Sequence, residues 1–396
     1  MRSVGVRRVE EILSQGGDRE PSRWPRRLTV IGAVVAVVVL GIVYLVQLRH
    51  PHSPAAAPSA TVSASADEPD AIVGPALPWA DALRLPVAGT QPVWFSPATG
   101  RSAPIGGLPS DSAGYQFTRA DGGWVVQAGS GGELASGDLA VPSLPVWFLA
   151  DGARSVTRVG TANQVAPAAT AGAVWLTSYP AGADPGTAAR TAREVSVAGV
   201  ALGTPVRLPP GYAIFQATER GLLLAPVSPR PGVQVDELWN PADPKASRTF
   251  DAVIAAGADE VAWTPPCAAT CGVRVLDLAT GTSSAVELPA GTFAEGASFS
   301  PSGALLALQV MSDEGGGAST WLEVASTPTG RVTLLPGTSV GRDTVVDFGW
   351  PTGGDSLVAE FIFPTKVQLA SWHPGATGLA VAVVRAGQEQ TSLVVG

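Results

Sequence analysis

From Trp79 to the end of the chain, apolar and polar residues alternate over short stretches, each closed by Gly, Pro or Asp. Strand side chains point to opposite faces in turn, so a period of two predicts half-buried strands, and no apolar stripe at helical spacing interrupts the run. The passage "VRVLDLATGTSSAVELP", residues 273–289, reads as strand, tight turn, strand. Val273 and Val275 lead in, Gly281 suits the positive-φ position of a short hairpin loop, and Ser284, Val286 and Leu288 lead out.

That turn recurs. Thr-Gly pairs also end at Gly100, Gly330 and Gly378, and "VWFLADG" ends at Gly152 as a near copy. Successive gaps between these glycines are 52, 129, 49 and 48 residues, and the wide gap holds three periods if degenerate hairpins sit near Gly203 and Asp243. Seven hairpins across 278 residues give about 46 residues per repeat. A second family of turns runs out of phase with the first, at Asp121, Gly172, Gly221, Ala258, Gly303 and Gly354. Two interleaved hairpins per repeat make four strands, the pattern of a propeller blade.

Six complete repeats are expected at 114–160, 164–208, 211–250, 251–288, 296–337 and 344–385. An outer hairpin at 89–107 and a last strand, "QTSLVVG", remain. Pairing them joins the two ends of the chain and removes an edge that would invite aggregation. The expected fold is therefore all-β, a β-propeller with seven blades favoured and six or eight left open, preceded by one transmembrane helix.

The helix is read from residues 28–48, "LTVIGAVVAVVVLGIVYLVQL", 21 positions without a charge. At about 1.5 Å per residue they reach about 31 Å, the depth of a bilayer core, and exceed the apolar region of a cleavable signal peptide. The small residues of "AAAPSATVSASA" keep a cleavage site open. Arg23, Arg26 and Arg27 abut the N-terminal end and only Arg49 follows the other, which places the N-terminus inside and the rest outside. The division is a cytoplasmic tail at 1–27, the helix at 28–48, an Ala/Ser/Pro-rich extracytoplasmic linker at 49–78 and the propeller at 79–396. In the tail, Val6, Val9, Ile12 and Leu13 fall on one helical stripe, which a partner or the inner leaflet would cover unless the tail is simply solvated.

At "FSPSGALLAL" followed by "LEVASTPTG" the repeat resembles bacterial β-propellers of the TolB-like and YVTN-like type. That resemblance implies a Ser-Pro-Asp-Gly-like turn between inner strands and a Thr-Gly-like turn between outer ones, over residues 89–396. Ser300–Gly303 and Asp277–Gly281 match it, with Ser302 where the family usually has Asp. It implies a fold and no function.

Charge and chemistry narrow the function classes. From Pro51 onward there are 17 basic and 29 acidic residues, a balance that disfavours nucleic acid. Two cysteines and three histidines leave no material for a metal cluster or an imidazole relay, so no catalytic, cofactor-binding or metal residue is assigned. Cys267 and Cys271 in "TPPCAATCG" are expected to form a disulfide outside the cell; a five-residue loop stabilises by roughly 2 kcal/mol. His373, in "SWHPG", reads as a turn residue. Both tight-turn families share one end of the propeller, and the longer Gly-rich connections share the other, where binding usually lives. Glu133, Asp138, Asp184, Asp313 and Glu314 sit there, opposed by Arg190, Arg193 and Arg230, as a candidate binding face. The expected role is a membrane-anchored binding, scaffold or sensor module for a protein, peptide or cell-envelope ligand. The competing class is an envelope hydrolase of glycans or lactones using paired carboxylates in the funnel, and a third is signalling through the tail. Convergent funnel carboxylates, one with a raised pKa, favour the enzyme.

Overall fold

The computed structural model describes residues 79–384 except 80–82, 89–90, 111, 113, 130–142, 181–182, 184–186, 228–234, 267–271, 313–318, 342–343, 352–354 and 364–365. The tail, the expected helix at 28–48 and the linker to 78 lie outside the described residues, as do Cys267, Cys271 and the closing strand at the C-terminus. Among the described residues no helix is long and apolar enough to cross a membrane.

Seven antiparallel sheets follow one another along the chain. Blade 1 (85–104) has three strands, and blades 2 (115–162), 3 (164–207), 4 (212–250), 5 (253–286) and 7 (345–384) have four, in sequence order. Blade 6 (292–334) adds a short fifth strand, Val340–Gly341, which pairs beside Ser319 and Thr320. The expected repeats agree with these sheets to within a few residues. Two differences stand out: blade 6 begins at Thr292, and blade 1 has an additional strand, Leu85–Val87, ahead of the expected hairpin.

Alternation explains why the sheets stack. In Leu357–Phe363 of blade 7, Leu357, Ala359, Phe361 and Phe363 enter the joint with blade 6, whereas Val358 enters the joint with blade 1. Each blade is thus apolar on both faces. Seven hydrophobic clusters fill seven joints in cyclic order: Trp94 with Trp124 (1–2), Phe148 with Leu176 (2–3), Leu208 with Ile214 (3–4) and Leu223 with Val261 (4–5). Val275 meets Leu308 (5–6), Leu322 meets Phe361 (6–7), and Leu85 meets Val358 (7–1). The last pair closes the ring, so the fold is a seven-bladed propeller. Burying one such side chain contributes about 1.5–3 kcal/mol. Polar fasteners cross several joints: Trp94 Nε1 donates to Ala153 O at 2.6 Å, Val253 N to Asp236 Oδ2 at 2.7 Å, and Trp350 Nε1 to Ser298 O at 3.0 Å.

The Thr-Gly turns are one device repeated. In blades 1, 5 and 6 the amides of Gly100, Gly281 and Gly330 each donate at 2.8 Å to the carbonyl four residues back, with φ of 65°, 73° and 66°. A residue with a Cβ resists that left-handed conformation, which is why glycine recurs. In blade 5, Asp277 Oδ1 also accepts the amides of Ala279 and Thr280. Elsewhere the positive φ moves: to Gly199 rather than Gly203, and to Gly375 rather than Gly378. Blade 4 turns without glycine through 240–247, where Asn240 Oδ1 accepts the Ala242 amide.

Candidate functional site

Antiparallel order sends the first-to-second and third-to-fourth strand turns of blades 2 to 7 to one end and the remaining connections to the other, where the second-to-third connections of blades 2 to 6 are long and those at 163, 251–252 and 364–365 are short. At the tight-turn end the two turns of a blade are tied together: the amides of Asp151, Val197, Leu278 and Thr327 donate to Gly122, Gly172, Asp259 and Ala304. That end is knitted, which leaves the long connections as the variable face. Of the residues expected there, Glu133, Asp138, Asp184, Arg230, Asp313 and Glu314 lie outside the described residues.

Arg190 requires a correction. It is only 4% exposed; Nη1 donates to Tyr212 O of blade 4 at 3.0 Å, and the guanidinium stacks over the Tyr179 ring at 5.4 Å. Its planar donor fork joins blades 3 and 4 and does not face solvent. Arg193 is exposed, but on the strand Thr191–Ser196 and not on a loop. His373 is an exposed turn residue.

The geometry points to the axis instead. The first strands of adjacent blades lie against one another in the pairs 2–3, 3–4, 5–6 and 6–7, so these strands form the hub. Residues exposed on these strands are the candidates for the axial opening. Phe215 (45% exposed) and Phe293 (37%) are such residues, on Tyr212–Thr218 of blade 4 and Thr292–Phe299 of blade 6. Glu295 on the same blade 6 strand and Asp347 on Val345–Gly349 of blade 7 are also exposed. Three consecutive inner strands shift register, between Ile214 and Gln216, Val253 and Ala255, and Ala294 and Gly296. A β-bulge re-aims the extra side chain; here those are Phe215, Ile254 and Glu295.

The hub thus combines apolar surface on blades 4 to 6 with carboxylates on blades 6 and 7. Glu295 Oε2 accepts from Gln309 Nε2 at 2.9 Å, which holds the carboxylate in place. Asp347 keeps contact with solvent, yet desolvation by the surrounding strands pushes its carboxyl above the usual range, partly offset by the Phe348 amide. Directly across the sheet from Asp347 stands Glu360, 0% exposed. Of these two cross-strand carboxyls only Asp347 is accessible, and its raised pKa comes from desolvation, not from a neighbouring acid.

A second acidic group, at the tight-turn end, has a structural role. The Glu260 carboxylate lies in a cradle left by Gly257 of its own blade and Gly303 of blade 6, and Ser302 Oγ donates to Asp355 Oδ1 of blade 7 at 2.9 Å. Both span joints between blades. Among the described residues no group of three His, Cys, Asp or Glu is placed to hold a metal.

Sequence reasoning missed the axial residues because "YAIFQAT" and "TFAEGASF" look like ordinary core strands. The signal present was a broken period: buried positions step from Ile214 to Ala217, three residues instead of two.

No family model matches the chain, and no curated protein matches it. Among solved structures it is similar to an acylaminoacyl peptidase in complex with Z-Gly-Gly-Phe-chloromethyl ketone (TM-score 0.51, 9% identity, 75% of this chain and 48% of that chain). It is also similar to the uncomplexed acylaminoacyl peptidase of Pyrococcus horikoshii (0.49, 8%, 75% and 48%). The β-propeller domain of the Trilobed protease from Pyrococcus furiosus, described as having an open velcro topology, is a further match (0.44, 7%, 69% and 86%). The chain spans about half the length of the two acylaminoacyl peptidases. At such identities the likeness supports a propeller fold and nothing finer; the TolB-like and YVTN-like resemblance rests on Ser300–Gly303 and Asp277–Gly281.

Proposed function

We propose that the protein is a binding propeller, anchored by residues 28–48 and exposed outside the cell, which takes a peptide at the axial opening on its long-connection end. The observation that carries this reading is that the exposed phenylalanines Phe215 and Phe293 and the exposed acids Glu295 and Asp347 all stand on the innermost strands of blades 4, 6 and 7. Exposed aromatic rings on a rigid hub are apolar anchors, and the two carboxylates select a positive charge beside the anchored side chain. An extended segment with an apolar residue next to Lys, Arg or a free amino terminus satisfies both. The similarity to a peptidase solved with a peptidyl ketone is in keeping with that ligand class.

A hydrolase acting through axial carboxylates is the second reading, favoured by the raised Asp347 pKa. Glu360 is sealed from ligand, so a paired-carboxylate mechanism would need Glu295 as the partner of Asp347. Titrating the full-length protein in neutral detergent with arrays of Lys/Phe-containing and Glu/Phe-containing peptides separates the outcomes. Saturable capture of the cationic set supports the binding reading, turnover of a bound peptide or glycan supports the hydrolase, and equal capture of both sets removes the carboxylates from recognition.

A further inference from the structure

Blades 4 and 5 meet through a thin joint. Among the described residues four buried side chains close it, Leu223, Phe250, Val261 and Leu276, with Leu238, Val253, Ala256, Trp263 and Leu278 partly buried against them, whereas fourteen buried ones close the joint between blades 6 and 7. The outer part of the 4–5 joint at the tight-turn end is open as a cleft of about 290 Å³. Unequal turns frame it. Blade 4 turns through the long 240–247 segment, braced by Asp243 N to Asn240 O and Ala246 N to Asp243 O, while blade 5 turns within Asp277–Gly281.

The lining divides by chemistry. Leu238, Leu276 and Leu278 form an apolar floor, and Arg220, Arg248 and Asn240 form the polar rim. Both arginines are exposed, and among the described residues neither forms an ion pair. Arg248 lies over the Phe250 ring at 5.5 Å, which holds its guanidinium at the cleft. Asp277, whose carboxylate feels the Arg220 charge, turns Oδ1 into its own turn, onto the amides of Ala279 and Thr280. Asn240 Oδ1 is likewise committed to Ala242, which leaves the amide NH₂ as a donor. The polar side chains lining the cleft are therefore donors, two of them cationic with Arg220 partly offset by Asp277, on a protein whose residues from Pro51 onward are strongly acidic.

We propose that this cleft binds a small anionic amphiphile, its carboxylate or phosphate head held by Arg220, Arg248 and the Asn240 amide and its short alkyl body laid on Leu238, Leu276 and Leu278. The guanidinium fork matches either head in bidentate geometry. The volume lies at the lower limit of small-molecule sites, about 300–1,000 Å³, which suits a chain of a few carbons and excludes a polymer. The site is separate from the axial opening, and a ligand here bridges two blades, so its binding stabilises the ring.

The test is thermal unfolding of the full-length protein in neutral detergent with hexanoate, hexyl phosphate, hexanol or inorganic phosphate, since a ligand of the folded state raises the transition in proportion to ln(1 + [L]/Kd). Hexanoate or hexyl phosphate is expected to raise the transition saturably, and the larger shift names the head. Hexanol and inorganic phosphate are expected to do neither. Arg220→Gln and Arg248→Gln each weaken the effect at least tenfold, about 1.4 kcal/mol, measured against each variant's own ligand-free transition, which absorbs the lost contacts of Arg248 with Phe250 and of Arg220 with Asp277. Saturation transfer from protein to the hexanoate methyl, lost in the double variant, gives the same answer independently of stability. A shift that persists in the double variant, an equal shift with inorganic phosphate, or no shift with either amphiphile overturns the site.

Discussion

Gly303 of blade 6 leaves the space into which Glu260 of blade 5 places its carboxylate; a methyl group on Gly303 would overlap Glu260 Oε1. The glycine also sits at φ 70°, a conformation that costs a side-chain-bearing residue about 1–2 kcal/mol. Gly303→Ala is therefore expected to destabilise by more than the backbone part alone. In a Glu260→Ala background the same substitution should cost less, because only the backbone part remains. A double-mutant cycle by denaturant unfolding measures the difference, and identical costs in both backgrounds would show that the two residues do not communicate.

Glu260 also makes stability depend on pH. Desolvation in the cradle, and then the charges of Asp259 and Asp277, hold its carboxyl above the usual range, against the opposing Asp259 amide. An acid whose folded pKa is raised binds its proton more tightly when folded. Its favourable contribution is complete below the unfolded value, about 4.3, and is lost as pH rises through the folded value. Glu260→Gln should consequently melt higher than the wild type at neutral pH, with the gap closing as pH falls below that unfolded value. Asp277 has the opposite sign: its turn amides and Thr280 hold its pKa low. Its contribution is present above the unfolded value and lost as pH falls through the folded one. Transition temperatures from pH 3 to 8 for Glu260→Gln and Asp277→Asn check the two directions.

At the axial opening, Phe215→Ala and Phe293→Ala should leave the transition temperature nearly unchanged while weakening a bound Lys/Phe peptide by roughly tenfold or more, since each removes an exposed anchor and little core. Asp347→Asn should remove the pH dependence of that binding. With a raised folded pKa, the carboxylate gains charge late, so affinity for a cationic peptide should climb as pH rises through that value. Peptide titrations at several pH values decide this, and a pH dependence that survives in the variant assigns it to another group.

Arg190 and Arg193 separate burial from position in sequence. Arg190→Met removes a charge-assisted hydrogen bond to Tyr212 O and a ring contact with Tyr179, and should cost about 2–3 kcal/mol. Arg193→Ala, on an exposed strand position, should stay within about 0.5 kcal/mol. Both read alike in "TAARTARE". Composition and spacing carried the architecture because blades repeat: Gly100, Gly281 and Gly330 meet the same backbone demand, and identical demands leave identical residues. Side-chain destinations were less legible. Whether an arginine faces solvent or a neighbouring blade depends on a partner 22 residues away, and whether Phe215 is core or surface depends on one inserted residue in a strand pairing. Neither relationship has a local signature.

Ring closure is the remaining test. The edge of Leu85–Val87 opposite its pairing with Val93–Phe95 has no strand partner among the described residues, while blades 2 to 7 each place an innermost strand at the hub. The sequence expectation fills that place with residues 390–396. Five residues, 385–389, would reach about 17 Å if extended, and the step from outermost to innermost strand is about three strand spacings, roughly 14 Å, so the reach suffices. A protein ending at 389 should then expose a hydrogen-bonding edge beside the joint of Leu85 with Val358 and Leu369. It should melt several degrees lower and self-associate in neutral detergent, and a peptide copy of 390–396 added in excess should restore both properties. If the shortened protein melts with the full-length one and stays dispersed, the first blade is complete with three strands, and the contact of Leu85 with Val358 closes the ring alone.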